Sequence, residues 1–366
     1  MKRIVIDARE WGSSTGRYIS NLVRQLERLA PDGDEYVVLM KPRDLAAWQP
    51  VRPDFRKLAC PYQEFTLWGE QVGLRRQLRG LKPDLVHFGK DNQPVFYRGR
   101  VVTTMHDLTT VRFVNPAKLW PVFKFRQLVY RWVVKRVAQR SAAILTGSDF
   151  VRDDLVQFTG VDPAKITVTY EAADVIKDSP EPVGGLAGKR FIMYVGRPTP
   201  HKNLERLIEA FELLRARQPD LVLVLAGKQD ANYRRIEAAV QKANKQAIVF
   251  TGFVSEGQLR WLYEHCAAYV FPSLSEGFGL PGLEAMAHGA PVVASNATCL
   301  PEIYGRAARY FDPLDAAAMA DAINEVLTDK NLRAELVKAG RAQAAKYSWQ
   351  DMAKETLAVY ASVLKD

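Results

Sequence analysis

Short apolar runs alternate with longer stretches of helical spacing from one end of this chain to the other, and that alternation restricts the fold more than any other feature. In the first half the runs fall near Ile4–Ala8, Tyr36–Met40, Leu85–Phe88, Val101–Met105 and Ala143–Thr146. In the second they fall near Phe191–Val195, Leu221–Ala226, Ile248–Thr251, Ala268–Phe271 and Pro291–Ala294. Strands separated by helices are the signature of parallel sheets covered on both faces. Residues 178–189, opening Asp178-Ser179-Pro180-Glu181-Pro182, are rich in proline, glycine and charge and predict a linker. At 366 residues the chain is long enough for two α/β domains. The expected fold is α/β, with Rossmann-like domains at 1–177 and 190–348 facing across a cleft, ligands lying at the carboxyl ends of the strands.

Function is written most densely after the run Ala268–Phe271. Glu276 and Glu284 flank Gly277-Phe278-Gly279-Leu280-Pro281-Gly282. Pro281 marks a helix start, where its missing N–H costs nothing. Gly277 and Gly279 let the backbone turn tightly and approach a ligand. Free amides at a helix start, with the positive end of its dipole, suit a phosphate. Glu284 is expected on the first turn of that helix, within reach of sugar hydroxyls beside the phosphate. A second cluster, Gly196-Arg197-Pro198-Thr199-Pro200-His201-Lys202, ends a strand and precedes a helix carrying Leu204, Leu207, Ile208, Phe211 and Leu214. It holds Arg197 and Lys202 at the turn, where two fixed cations neutralise a diphosphate without a metal.

The run Ser275 to Ser295 resembles the donor-site motif of retaining glycosyltransferases of the GT-B fold, family 4. The resemblance spans nearly the whole chain and is strongest over residues 191–303. It implies that Glu276 faces the transferred sugar, that Glu284 binds ribose hydroxyls, and that Arg197 and Lys202 bind the donor pyrophosphate. On the residues alone His106, just past the run Val101–Met105, reads as a structural histidine; the resemblance gives it contact with the transferred sugar, with Asp107 to orient it. Gly16, in Gly12-Ser13-Ser14-Thr15-Gly16-Arg17-Tyr18, corresponds to the family's phosphate-facing loop. Gly252 and Phe253, at the end of the run Ile248–Thr251, correspond to the segment around the base. The resemblance also implies that Phe278, Gly279 and Leu280 join the donor site and that Ser148 and Asp149 are candidate acceptor contacts. The last helix, 349–366, is similar to the family's terminal helix that packs back on the first domain.

These parts together imply a metal-independent hexosyltransferase with no cofactor beyond its nucleotide-sugar substrate, mannose from GDP-mannose being the first choice of donor. A UDP-hexose donor, a nucleotide-sugar epimerase and a non-catalytic binding protein are the rivals. The expected acceptor is a saccharide or a lipid-linked saccharide.

Charge adds an expectation about partners. Residues 1–189 hold 30 Lys and Arg against 21 Asp and Glu, whereas residues 190–366 hold 21 against 20. Between Asp107 and Asp149 there is no acidic residue, and basic residues from Arg112 to Arg140 interleave with aromatics such as Trp120, Phe123 and Trp132. That composition suits an anionic membrane surface or a pyrophosphate-bearing acceptor. Leu128, Val129, Trp132, Val133 and Val137 share one broad helical face. No nucleic-acid motif accompanies the charge. Cys60, Cys266 and Cys299 show no Cys-x-x-Cys spacing and read as free thiols, and the five histidines lack metal-ligand spacing. Asp32-Gly33-Asp34 is a turn sequence. Without a leader or a long apolar run, the expected location is cytoplasmic, peripheral to the membrane at most.

Overall fold

The computed structural model describes residues 1–12, 16–64, 66–113 and 120–365, the side chains of 120–125 excepted. Ser13, Ser14 and Thr15 of the first glycine loop, and Lys118 of the basic segment, lie outside the described residues. The chain forms two compact units: Met1–Val111 with Lys118–Glu171 and Ser348–Asp366, and Arg112–Ala117 with Ala172–Tyr347.

The first unit is built on seven parallel strands, β1 (Arg3–Asp7), β2 (Glu35–Met40), β3 (Phe55–Ala59), β4 (Leu85–Phe88), β5 (Val101–Thr104), β6 (Ala143–Thr146) and β7 (Ile166–Val168). Their order is β3-β2-β1-β4-β5-β6-β7. The central strands are buried along their length, which is why they read as continuous apolar runs. β3 escapes the sequence reading because it carries charge, and β7 because it is only 3 residues long. Phe55-Arg56-Lys57-Leu58-Ala59 carries two charges, and Lys57 donates to the Leu45 and Trp48 carbonyls at 2.7 and 2.8 Å.

The helix Gly16–Leu29 buries Tyr18, Ile19, Leu22, Val23 and Leu26 and packs against the helix Trp349–Lys365. Tyr360 of that last helix meets His87 Nδ1 at 2.6 Å, and His87 Nε2 meets Thr104 Oγ1 at 2.8 Å. Burial and the nearby His106 push His87 down to about 3, so this buried link is held by a neutral imidazole.

The second unit has six parallel strands, β8 (Phe191–Val195), β9 (Val222–Ala226), β10 (Ile248–Gly252), β11 (Ala268–Phe271), β12 (Val292–Ser295) and β13 (Ala308–Phe311). Their order, β10-β9-β8-β11-β12-β13, is the doubly wound order of a dinucleotide fold. The edge strand β13, Ala308-Arg309-Tyr310-Phe311, carries a charge and forms no continuous apolar run. By contacts, the first unit's chain runs to Glu171, and the linker segment groups with the second unit. Ile176 N–H donates to His288 Nε2 at 3.1 Å, Glu181 N–H to the Gly257 carbonyl at 3.0 Å, and Leu186 is buried.

The helix Trp120–Arg140 splits the expected apolar face between core and surface. Val134, Val137 and Ala138 are buried, whereas Leu128, Val129 and Trp132 are exposed. The choice of face is made by the cluster of Met105, Leu108, Ile144 and Leu155 that the helix covers, not by its own periodicity.

Candidate active site

In the second unit the strand order reverses between β8 and β11, and the loops after these two strands hold the donor-side residues. The turn Pro200–Lys202 follows β8 and ends at Asn203, whose φ of 59° is left-handed. Asn203 Nδ2 donates to the Pro272 and Pro313 carbonyls at 3.1 and 2.8 Å, and Leu274 N–H donates to the His201 carbonyl at 2.7 Å. These bonds stitch the two loops together. As a result Lys202 Nζ stands 2.5 Å from Glu276 Oε1 and 5.4 Å from the centre of the Phe271 ring. Both side chains are mostly buried, at 18% and 12% exposure, so their attraction is little screened. Glu276 is fixed further by its own N–H, which donates to Thr298 Oγ1 at 3.1 Å.

Arg197 is placed differently from Lys202. Its side chain is 59% exposed and lies 3.6 Å from Asp230 Oδ2, in the loop after β9. Lys202 is thus the buried, directed cation and Arg197 a solvated one. Gly196 follows β8, its N–H donated to the Ala226 carbonyl at 3.0 Å.

The helix Leu280–Ala287 begins with Pro281 in its first turn and Gly279 as its cap at φ 93°. A Cβ on Gly279 would stand 2.6 Å from Tyr304 Oη, and one on Gly282 would stand 2.2 Å from the same atom. Tyr304 Oη donates to the Gly279 carbonyl at 2.6 Å, so both glycines are needed to admit this tyrosine. Glu284 is corrected by this geometry. It sits beyond the first turn, is 5% exposed and lies 3.4 Å from Tyr263 Oη. The Phe278 ring is buried edge-on to Tyr347 at 5.5 Å. Leu280 is half-buried at the helix start. Gly252 closes β10 at φ 71° with its N–H on Tyr233 Oη at 2.7 Å, and Phe253 beyond it is exposed.

In the first unit, His106 follows β5 with both ring nitrogens facing acceptors: Nδ1 is 3.1 Å from Glu171 Oε1 and Nε2 is 3.1 Å from the Gly89 carbonyl. Burial opposes the charged ring, but the Glu171 carboxylate, Asp107 and the Gly89 carbonyl outweigh it and hold His106 above the usual histidine value. An acceptor at each nitrogen favours the doubly protonated ring, which donates at both positions. Glu171, not Asp107, orients it. Asp107 instead accepts from Thr109 N–H at 2.7 Å. Glu171 lies 65 residues away with no motif around it, and only the sheet brings it to β5.

Gly16 has no room for a side chain, since a Cβ would stand 2.2 Å from the Trp11 carbonyl oxygen. Its requirement for glycine is met by the chain itself. Ser148 caps the helix Asp149–Thr159 through Val151 N–H at 3.3 Å, while Asp149 pairs with Arg152 and accepts from Tyr170 Oη at 3.2 Å. Among the described residues no group of three His, Cys, Asp or Glu side chains could hold a metal ion.

Two doubly wound units with carboxylate, cation and glycine-capped helix at a strand-order reversal define a GT-B-type glycosyltransferase. The chain belongs to glycosyltransferase family 4: residues 15–177 match the model described as Glycosyltransferase Family 4, and residues 177–343 match Glycosyl transferases group 1. It is 32% identical over 301 residues to O-antigen chain mannosyltransferase B of Escherichia coli, covering 78% of this chain and 77% of that one. It is 33% identical over 267 residues to the serotype-specific mannosyltransferase WbdA of the same species, matching 69% of this chain but only 32% of that longer protein. Among solved structures, sucrose-phosphate synthase from Thermosynechococcus elongatus superposes over 100% of both chains with a TM-score of 0.78 at 21% identity. The protein is a hexosyltransferase.

Proposed function

We propose that this enzyme is a retaining, metal-independent mannosyltransferase that moves mannose from GDP-mannose to a saccharide or lipid-linked saccharide in the assembly of a surface polysaccharide. The mannose reading rests on the similarity to two O-antigen and serotype mannosyltransferases. The mechanistic reading rests on one observation, the Lys202–Glu276 contact at the β8/β11 reversal beside the helix capped by Gly279. A lysine on a carboxylate partner is a cation that a diphosphate can claim. When it turns to the phosphate, Glu276 is freed to accept hydroxyls of the sugar and to favour positive charge at the anomeric carbon. Lys202, Arg197 and the amides at Gly279–Leu280 then stabilise the departing nucleoside diphosphate. The acceptor hydroxyl attacks from the face that the leaving group vacates, and the leaving phosphate takes its proton, so retention needs no enzymatic base. A thermal-shift panel of GDP, UDP and ADP tests the donor. Ligand at a hundred times its dissociation constant adds about 2.7 kcal/mol, or roughly 2–4 °C per kcal/mol for domains of this size. GDP should give the largest shift; a larger UDP shift would replace GDP-mannose by a UDP-hexose.

The proposal extends to an anionic membrane as the place where a lipid-linked acceptor is met. Leu67, Trp68 and Val72 are exposed on the wide helical turn Leu67–Leu74, whose Gln71 Oε1 accepts from Val95 N–H at 2.8 Å. Next to Val95, exposed Phe96 lies 6.4 Å from exposed Trp132, near Leu128 and Val129 on the same helix. Exposed apolar groups in one patch mark an interaction surface, and Arg98, Arg100, Arg126 and Arg140 around it are exposed and basic. Binding to vesicles containing anionic lipid should fall steeply with salt, each engaged cation contributing about 1 kcal/mol. Equal binding to neutral and anionic vesicles, or none to either, would remove the membrane from the account. No helix among the described residues is long and apolar enough to cross one.

A further inference from the structure

The loop that carries Glu276 runs from β11 to the helix Leu280–Ala287 with no strand or helix of its own to pair its backbone. Main-chain groups in such a loop must find partners elsewhere. Side chains between Ser295, at the end of β12, and Tyr304 supply them. Ser295 Oγ donates to the Ser273 carbonyl and Tyr304 Oη to the Gly279 carbonyl, each at 2.6 Å. Between these, both main-chain groups of Glu276 are held. Its N–H donates to Thr298 Oγ1 at 3.1 Å, and its carbonyl accepts from Cys299 Sγ at 3.3 Å. Burial, with the charge of Glu276, holds the Cys299 thiol well above the usual cysteine value, so it stays a donor.

Thr298 makes its bond from a backbone that threonine disfavours. Its φ is 53°, in the left-handed region. The other non-glycine residues described there are Lys82, Asn203, Asn244 and Ala247, none of them branched at Cβ. A branched Cβ makes this conformation costly, and glycine or asparagine is the usual occupant. Such strain persists where the surrounding structure holds the residue in place, and it gathers at functional sites. A glycine at 298 would make the same turn without strain. It would also leave the Glu276 N–H without the Oγ1 acceptor.

We propose that Thr298 is a positioning residue for the transfer reaction. Its strained turn sets Oγ1 where it locks the Glu276 main chain, and with it the carboxylate that meets Lys202. Cys299 holds the other side of the same residue. The proposal rests on the reading of Glu276 as the carboxylate beside the transferred sugar. It separates stability from activity at position 298: the backbone is better served by glycine, the reaction by a hydroxyl.

Three variants of the full chain test it, each read by donor kinetics, melting temperature and amide hydrogen exchange of the segment 273–279. Thr298→Val keeps the branched Cβ and removes the acceptor, Thr298→Gly removes both, and Thr298→Ser keeps the hydroxyl. In the valine and glycine variants kcat should fall by about tenfold or more with donor KM changed by less than about threefold, because Glu276 acts mainly in the transition state. Exchange in the segment should quicken by about tenfold in the same two variants, as a local opening made easier. Thr298→Gly should nevertheless melt above Thr298→Val, since it loses the same bond but sheds the strain. Thr298→Ser supplies the acceptor again and should bring kcat back to within about threefold of the parent. Activity thus follows the hydroxyl and not the melting temperature. Exchange unchanged in all three variants overturns the clamp. A kcat that survives in the valine and glycine variants, or falls only as the melting temperature falls, overturns the positioning role. If exchange follows the hydroxyl but the unaltered protein turns over no nucleotide-sugar, the functional reading beneath the proposal fails instead.

Discussion

Glu276→Gln is expected to lower kcat by about a hundredfold or more while raising the donor KM by less than tenfold. The substitution keeps the size of the side chain and its main-chain bond to Thr298, so the loop should persist. In the proposed mechanism it removes a negative charge beside the anomeric carbon, and that charge matters most when the carbon is most positive. An interaction made mainly in the transition state appears in kcat. A preorganised polar group in a water-poor site supplies on the order of 3 kcal/mol, about a hundredfold. Glu284→Ala should behave otherwise. The ribose assigned to it changes little during transfer, so its bonds serve ground and transition state alike. A charged hydrogen bond is worth roughly 1.5–3 kcal/mol, a ten- to hundredfold rise in donor KM with kcat nearly kept. If Glu276→Gln leaves kcat intact while Glu284→Ala abolishes it, the two roles are reversed.

Gly279→Ala should cost both stability and donor affinity. At φ 93° a Cβ is strained by about 1 kcal/mol. Contacts of 2.6 Å to Tyr304 Oη and 2.7 Å to Leu300 Cδ2 add an overpacking cost of roughly 1–3 kcal/mol. The sum, about 2–4 kcal/mol, corresponds to a fall in Tm on the order of 10 °C. Because the same residue caps the helix Leu280–Ala287, the amides there should shift, and nucleotide affinity should fall with stability. Adding Tyr304→Phe removes the hydroxyl from the collision but not the backbone strain, so the double variant should recover only part of the loss. A Gly279→Ala protein that melts like the parent would show that Tyr304 moves aside freely.

What the sequence disclosed follows from how local each feature is. β8, β11 and β12 are buried on both faces and announce themselves as apolar runs, whereas β3 and β13 carry charge and β7 has only 3 residues. Glu276, Gly279 and Pro281 were legible because strand, turn and helix start lie within a dozen residues. The side chains that position them were not. Asn203 joins two loops 69 residues apart, and Glu171 reaches His106 across 65, pairings that only the sheet order creates. Glu284 lies one turn deeper in its helix than expected, against Tyr263, which no local pattern specifies. The helix Trp120–Arg140 shows the same limit, since its two apolar faces can be told apart only once one of them is covered.

The central claim is that side chains rather than a metal carry the leaving diphosphate, and that the sugar keeps its anomeric configuration. The most direct measurement is proton NMR of the mannose first released from GDP-mannose, or from the nucleotide-sugar that the shift panel selects, by the enzyme in excess EDTA. The donor is an α-glycoside, and Lys202, Arg197 and the helix start remain whatever EDTA removes. Release should therefore continue at an undiminished rate, and the α-anomer should appear before mutarotation mixes the two. Loss of turnover restored by magnesium or manganese, or first appearance of the β-anomer, would contradict it.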